Sequence, residues 1–297
     1  MQYLTKVNLK INPNDLSNAF SLFGSPYDKI PFQSFRGLIN KSPNGKKGYF
    51  CYLISLFQLF FHIEDIKNYL NQQNLQNTTE ILLSNLIKKI YSSRNDSSVS
   101  IKEFVSNWKG WYTKSGHLQN IPEDIDDFFQ FLLNSCSDNF KKMFLIHYNS
   151  QSDFEIGSDH YNTYFLRLLI NDTNVQSLIN NHILENKIKF LPNCLFLFLQ
   201  RSNGTFFNDI DIRINSFINV NNINYKFIGC SIFIGSLQNG NYITMINFHG
   251  KYVLFDDERV SNLFYYQNCS SLIKSMMQNA DEMLSKRSVL FGICKIQ

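Results

Sequence analysis

The spacing of apolar residues changes character about halfway along the chain. From Phe50 onward, Cys51, Ser55, Leu56, Leu59 and Phe60 recur every three to four residues, which predicts a helix running on toward "IEDIKNYL". "TTEILLSNLIKKIYSS" predicts a second helix, with Thr78 or Thr79 as its N-cap. "SIKEFVSNWKGWY" predicts a third, with Ser100 and Glu103 in capping-box spacing and Trp108 and Trp111 in the core. "PEDIDDFFQFLLNSC" predicts a fourth, with Pro122 near its start and acids in its first turn, where the helix dipole favours them. Beyond about residue 143 the period shortens. "HYNTYFLRLLI", "CLFLFLQRS", "IRINSFINV", "YKFIGCSIFIG", "GNYITMINF", "KYVLFDD" and "VLFGICKI" predict strands. Helices followed by a mostly antiparallel sheet make the fold class α+β.

Residues 1–36 are irregular, with turn residues in "GSPYDKIPFQ", and predict an N-terminal extension. "GLINKSPNGKKG" predicts a loop. Residues 37–297 predict one domain, helical over about 37–142 and strand-rich over about 143–297, with no internal repeat.

Composition narrows the function classes. With 297 residues, 44% of them hydrophobic, the chain can bury a sizeable core. The net charge of +4 comes without a dense Lys/Arg run, so a nucleic-acid partner is not expected. The longest apolar run, in "YFCYLISLFQLFFHI", is too short to span a bilayer, so no membrane partner is expected either. "MQYLTKVNLKINPND" is polar and lacks a signal-peptide pattern, which predicts a cytoplasmic or nuclear location with free thiols. None of the six Cys form a C-x-x-C pair, so no metal and no cofactor is expected.

Three blocks carry chemistry. "GLIN…CYLISLFQLFF" spans residues 37–61, "EDIDDFFQFLL" residues 123–133, and "LPNCLFLFLQRS", "YKFIGCSIFIGSLQNGNYITMI" and "GKYVLFDDERV" follow up to residue 260. In order and separation they resemble the ubiquitin-specific protease family of cysteine deubiquitinases. Cys51, Tyr52, Ser55, Gln58, Leu59 and Phe60 match its Cys box. The second block is similar to its acidic helix, and the others to its Leu-Pro strand, its Gly-His-Tyr segment and its Phe-Asp-Asp strand. The resemblance implies a papain-like fold with a helical thumb, an antiparallel β palm and β fingers, and ubiquitin or a ubiquitin-like protein as partner.

It also implies roles. Cys51 would be the nucleophile, and its place at a helix N-terminus predicts a lowered thiol pKa. Asp256 falls at the position of the acid that orients the base. Asn241 falls where the family has the general-base His, and an amide has no nitrogen that titrates near neutral pH. Asn40 matches the oxyanion Asn of the "GLIN" start. The ten residues of "KSPNGKKGYF" separate it from Cys51, more than the pattern has; Lys46 stands at the family's spacing, with Asn44 close by. Asp124, Asp127, Tyr242 and Asp257 would bind the ubiquitin tail, the acids of the helix pairing with its arginines.

No other His takes the place of the base. His249 lies in the turn "FHGKY", roughly 25 Å along the hairpin at about 3.3 Å per residue. His160 precedes the "LPNC" strand, and His62, His117, His147 and His182 have no site-like context. The expected function is ubiquitin recognition with isopeptide hydrolysis lost or strongly reduced. An active hydrolase with an unconventional base, or a scaffold subunit without catalysis, stays open beside it.

Overall fold

In the computed structural model the described residues are 35–92, 98–111, 123–148, 162–186, 188–201, 208, 210–235, 240–248, 251–262 and 288–296. They belong to one compact unit, Phe35–Gln297. Of the expected N-terminal extension, residues 1–34 lie outside them.

The centre is helix α1 (Cys51–Phe61), in which every residue after Cys51 is buried. A helix apolar on all sides needs cover all round, and it has that here. On one side lie α2 (Glu64–Leu70), α3 (Thr78–Ser92), α4 (Lys102–Asn107), α5 (Ile125–Asn134) and the short α6 (Asp138–Lys141). The many Phe gather in this layer. Phe60 meets the rings of Phe129, Phe144 and Phe196, while Phe57 meets Phe61, Phe104 and Phe128, with centroids 4.7–5.9 Å apart. Such pairs add to area burial when offset or edge-on.

On the other side lies an eight-stranded sheet. Its strands are β5 (Leu166–Leu169), β7 (Cys194–Gln200), β8 (Phe217–Val220), β9 (Ile223–Gly235), β10 (Gly240–Phe248), β11 (Lys251–Asp256), β12 (Arg259–Asn262) and β13 (Ser288–Lys295). The order is β12-β11-β10-β9-β13-β7-β5, with β8 also on β9. All pairings are antiparallel except β5 with β7. Two small sheets complete the described residues: β1 (Leu38–Ile39) with β2 (Val99–Ser100), and β3 (Ile146–Tyr148) between β4 (Asn162–Thr163) and β6 (Ile188–Phe190). Helix α7 (Val175–Asn186) sits between β5 and β6 in sequence.

A buried polar knot fixes α1 on the sheet. The Ser55 hydroxyl lies 2.9 Å from that of Ser231, 2.8 Å from that of Thr244 and 3.0 Å from the Ile243 carbonyl; the Thr244 hydroxyl donates to the Ser55 carbonyl. Removing the Ser55 hydroxyl takes away the partner of the Ser231 hydroxyl in the core, while Thr244 keeps the residue-55 carbonyl. Ser55→Ala is therefore expected to cost about 1–3 kcal/mol, read as a lower urea midpoint at unchanged m-value.

Several local expectations need correction. The first helix does not continue to Leu70. His62 Nδ1 meets the Gln58 carbonyl at 2.6 Å and Ile63 is extended, so the chain breaks before α2. The N-cap of α3 is Asn77 rather than Thr78 or Thr79, since its Oδ1 accepts from the Thr79 and Glu80 N–H groups. α4 starts at Lys102 and ends at Asn107, without a capping box at Ser100. The predicted strand over 160–170 is two strands, β4 and β5, and of 212–220 only β8 is strand. The helix α7 was not expected at all.

Candidate active site

Cys51 stands at the first position of α1, the Asn241–Tyr242 pair near the start of β10, and Asp256 at the end of β11. The hairpin register explains why two of these meet. Thr244 pairs with Phe255, so the next step outward brings Asp256 opposite Ile243, on the same face as Asn241. The Asn241 Nδ2 donates to Asp256 Oδ1 at 3.3 Å. Arg259 Nη1 lies 4.0 Å from the other Asp256 oxygen. Asp256 is buried.

The Cys51 thiol faces backbone rather than a base. The Tyr242 N–H approaches it as a hydrogen-bond donor, as do the N–H groups of Tyr52 and of Cys51 itself, and all three favour thiolate. Burial outweighs them, and the negative charge of Asp257 adds to it, so the thiol pKa is pushed above its ordinary 9.0. This reverses the expectation from the helix N-terminus. The helix amides are present, but burial of the sulfur disfavours its charged form more than they favour it. Even at 9.0 only about one thiol in a hundred is ionised at pH 7.

Three of the six His are among the described residues. His62 is eleven residues along α1 from Cys51, about 16 Å at about 1.5 Å per residue. Burial depresses it to about 4, and its ring packs between Phe35 and Phe255. His147 packs against Phe190, and His182 meets the Tyr148 hydroxyl. His117, His160 and His249 lie outside the described residues.

The lengthened loop before Cys51 does not carry Asn40 away. Lys41 and Lys47 form an antiparallel bridge, Ser42 N–H donates to Lys46 O, and Gly45, at φ +82°, turns the chain. The inserted residues thus fold out as a small turn. Asn44 is used within it, accepting from the Ser42 hydroxyl and the Lys46 N–H, and Lys46 is exposed in the same turn. Asn40 comes back beside the Cys: its Oδ1 accepts from the Phe50 N–H at 3.1 Å. Gly48 must be glycine here, since a Cβ would lie 2.3 Å from that Oδ1. Asn40 Nδ2 donates to Asp257 Oδ2 at 3.0 Å.

Asp257 is thereby placed at the loop and not with the helix acids. Its residue has φ +53°, its Oδ1 is buried without a hydrogen-bond partner, and its carboxyl is raised to about 7. Burial is the main cause, with Asp256 and Glu258 adding and the Asn40 bond and Lys47 opposing.

Asp124 is the N-cap residue of α5 and makes no side-chain cap bond; it accepts from the Tyr242 hydroxyl at 3.3 Å instead. Asp124 and Asp127 are exposed. Glu123, Asp124 and Asp127 all have raised carboxyls, by burial first and then by neighbouring acids. Tyr242 is buried against Phe233. The third acid, Asp126, which the motif alone does not separate from its neighbours, points inward to Arg167 Nη2 at 2.8 Å. Helix periodicity alone could have found it, because Asp126 shares the apolar face with Phe129 and Leu133.

A comparison with family models decides the assignment. Residues 44–284 match the model for ubiquitin carboxyl-terminal hydrolase. The chain belongs to the ubiquitin carboxyl-terminal hydrolase family. Among solved structures, an essential yeast splicing factor is similar at a TM-score of 0.64 and 16% identity, over 96% of this chain and 75% of that one. The Ubp8-Sgf11-Sgf73-Sus1 SAGA DUB module is similar at 0.59 and 17%, over 89% and 68%. The SAGA DUB module of Ubp8, Sgf11, Sus1 and Sgf73 bound to monoubiquitin is similar at 0.62 and 18%, over 97% and 77%. These likenesses establish a shared fold of mixed helices and sheets. No curated protein matches the sequence.

For a cysteine hydrolase of this family the reacting unit is a thiol, a base and an orienting acid. Here the residue at the base position is an amide that binds the acid, and the hydrogen bonds to the sulfur come from backbone N–H groups. Among the described residues no group of three metal-ligating side chains occurs, and no helix is long and apolar enough to cross a membrane.

Proposed function

We propose that this chain recognises ubiquitin or a ubiquitin-like protein and hydrolyses the bond at its C-terminus poorly or not at all. The observation that carries this is the Asn241–Asp256 hydrogen bond. The acid is bound by Asn241 and the thiol meets the N–H of the next residue, Tyr242, yet the amide at the base position cannot take a proton. The raised thiol pKa supports the same reading, since it leaves less thiolate to act without a base than an exposed thiol would have. Cys51 is the nucleophile position, Asp256 the orienting acid, and Asn40 the residue nearest to an oxyanion role.

Recognition would rest on α5. Glu123, Asp124 and Asp127 repel one another at the surface, so a cationic tail laid against them relieves that repulsion. The likeness to a DUB module bound to monoubiquitin supports a ubiquitin-like partner. Calorimetric titration with ubiquitin tests this. Binding is expected, weakened about tenfold or more by Asp127→Lys, which reverses a rim charge and should reduce affinity most at low salt.

A second reading has one observation in its favour: a similar structure is described as a splicing factor. A non-catalytic assembly role without ubiquitin contact fits that description. Absence of any binding heat at high ubiquitin concentration would favour it.

A further inference from the structure

Away from Cys51, two free thiols face each other across neighbouring strands of the sheet. Cys194 opens β7 and Cys294 lies near the end of β13, and the two are direct partners in the antiparallel register. The neighbouring position fixes their type. Lys295 N–H donates to Asn193 O at 2.9 Å, so 193 and 295 form a hydrogen-bonded pair. Antiparallel pairs alternate, so Cys194 and Cys294 form a non-hydrogen-bonded pair. In that type the Cα atoms are about 4.5 Å apart and the side chains lean together. A disulfide needs about 4.4–6.8 Å. The two thiols are close enough to interact, and the Cys194 sulfur also lies 3.9 Å from Asp65 Oδ2 on α2. Cys194 is fully buried, whereas Cys294 is partly exposed.

We propose that Cys194 and Cys294 form a reversible dithiol that a peroxide closes to a cross-strand disulfide. The asymmetry of exposure sets the order. The Cys294 thiolate attacks one oxygen of the peroxide, the O–O bond breaks, and the second oxygen leaves as hydroxide. Cys294 is then a sulfenic acid. The Cys194 sulfur attacks the Cys294 sulfur, the S–O bond breaks, and the Cys194 proton leaves with that oxygen as water. Asp65 sits where it can pass this proton. The hydroxide takes the proton that Cys294 first released. Two thiols and one peroxide give one disulfide and two waters, the thiols being oxidised and the peroxide reduced.

The position gives the bond consequences. The loop it closes carries β8 to β12, and thus both Asn241 and Asp256. β13 lies between β9 and β7 and packs Gly292 against Leu59 and Ile63. Oxidation would staple this central strand to its neighbour and restrict the unfolded chain.

The test treats the full chain with hydrogen peroxide and maps its peptides without reduction. The expected result is a linked Cys194–Cys294 peptide, lighter by two hydrogens and released by dithiothreitol, with a higher urea midpoint for the oxidised form. Cys194→Ser is expected to abolish the link and leave a sulfenic acid on Cys294 that dimedone traps. The proposal is overturned if peroxide oxidises Cys51 or Cys294 while no 194–294 link forms. Because the unmodified chain gives the decisive reading, a variant that fails to fold does not spoil the test.

Discussion

Asn241→His is expected to raise Cys51-dependent hydrolysis of a ubiquitin C-terminal amide by about 100-fold or more, the usual scale of a positioned general base. The site is already arranged for the new side chain. Asn241 Nδ2 donates to Asp256 Oδ1, and an imidazole there would donate Nδ1–H to the same oxygen, leaving Nε2 free toward the sulfur. The Tyr242 N–H approaches Cys51 from the adjoining residue, so position 241 is close enough to matter. An imidazolium beside Cys51 would also offset the burial that now raises the thiol. Alkylation of Cys51 by iodoacetamide at pH 7 should therefore accelerate in the variant, whether or not turnover follows. Faster alkylation without turnover would point to the oxyanion side. There, Asn40 holds both the Phe50 N–H and Asp257, and losing one preorganised donor costs about 100- to 1000-fold.

Asp257→Asn should stabilise the fold at alkaline pH and flatten its pH dependence. The carboxyl lies at about 7 in the folded chain against an ordinary 3.8. The sign follows from proton counting. Between these values the folded state holds the proton more firmly than the unfolded one. The contribution is therefore complete below about pH 4 and is lost as pH rises through about 7. A difference of that size corresponds to on the order of 4 kcal/mol at most. Asn keeps the acceptor for Asn40 Nδ2 and tolerates the left-handed backbone at φ +53°. It removes a charge that faces Asp256 and Glu258 and is only partly offset by Lys47. Urea midpoints of the two proteins should converge near pH 4 and separate by pH 8, with the variant more stable. A constant difference across that range would mean that Asp257 does not titrate there.

What the sequence revealed follows from how local each signal is. α5 was legible because its apolar positions keep one period over several turns. The β10–β11 hairpin was legible because β-branched and aromatic residues flank a turn. α7 was not, because "VQSLINNHILEN" is polar enough to hide its period among strands. The cap of α3 went to Asn77, whose side chain reaches N–H groups two and three residues on, a choice that Thr78 and Thr79 do not reveal. The site shows the same divide. That Asn241 and Asp256 meet could be read from motif order, but the Cys51 thiol pKa could not. The helix terminus is written in the sequence; the burial of the sulfur that outweighs it is set by how the sheet packs on the helix and is not. Likewise "SPNG" signals a turn, but not that the turn returns Asn40 to Phe50.

The most direct test of the account is the turnover of a ubiquitin C-terminal fluorogenic amide by the unmodified chain beside Cys51→Ala. The account predicts that the two rates coincide. A clearly faster, Cys51-dependent rate in the unmodified chain would contradict it, because the proton of that thiol would then have found a carrier other than Asn241.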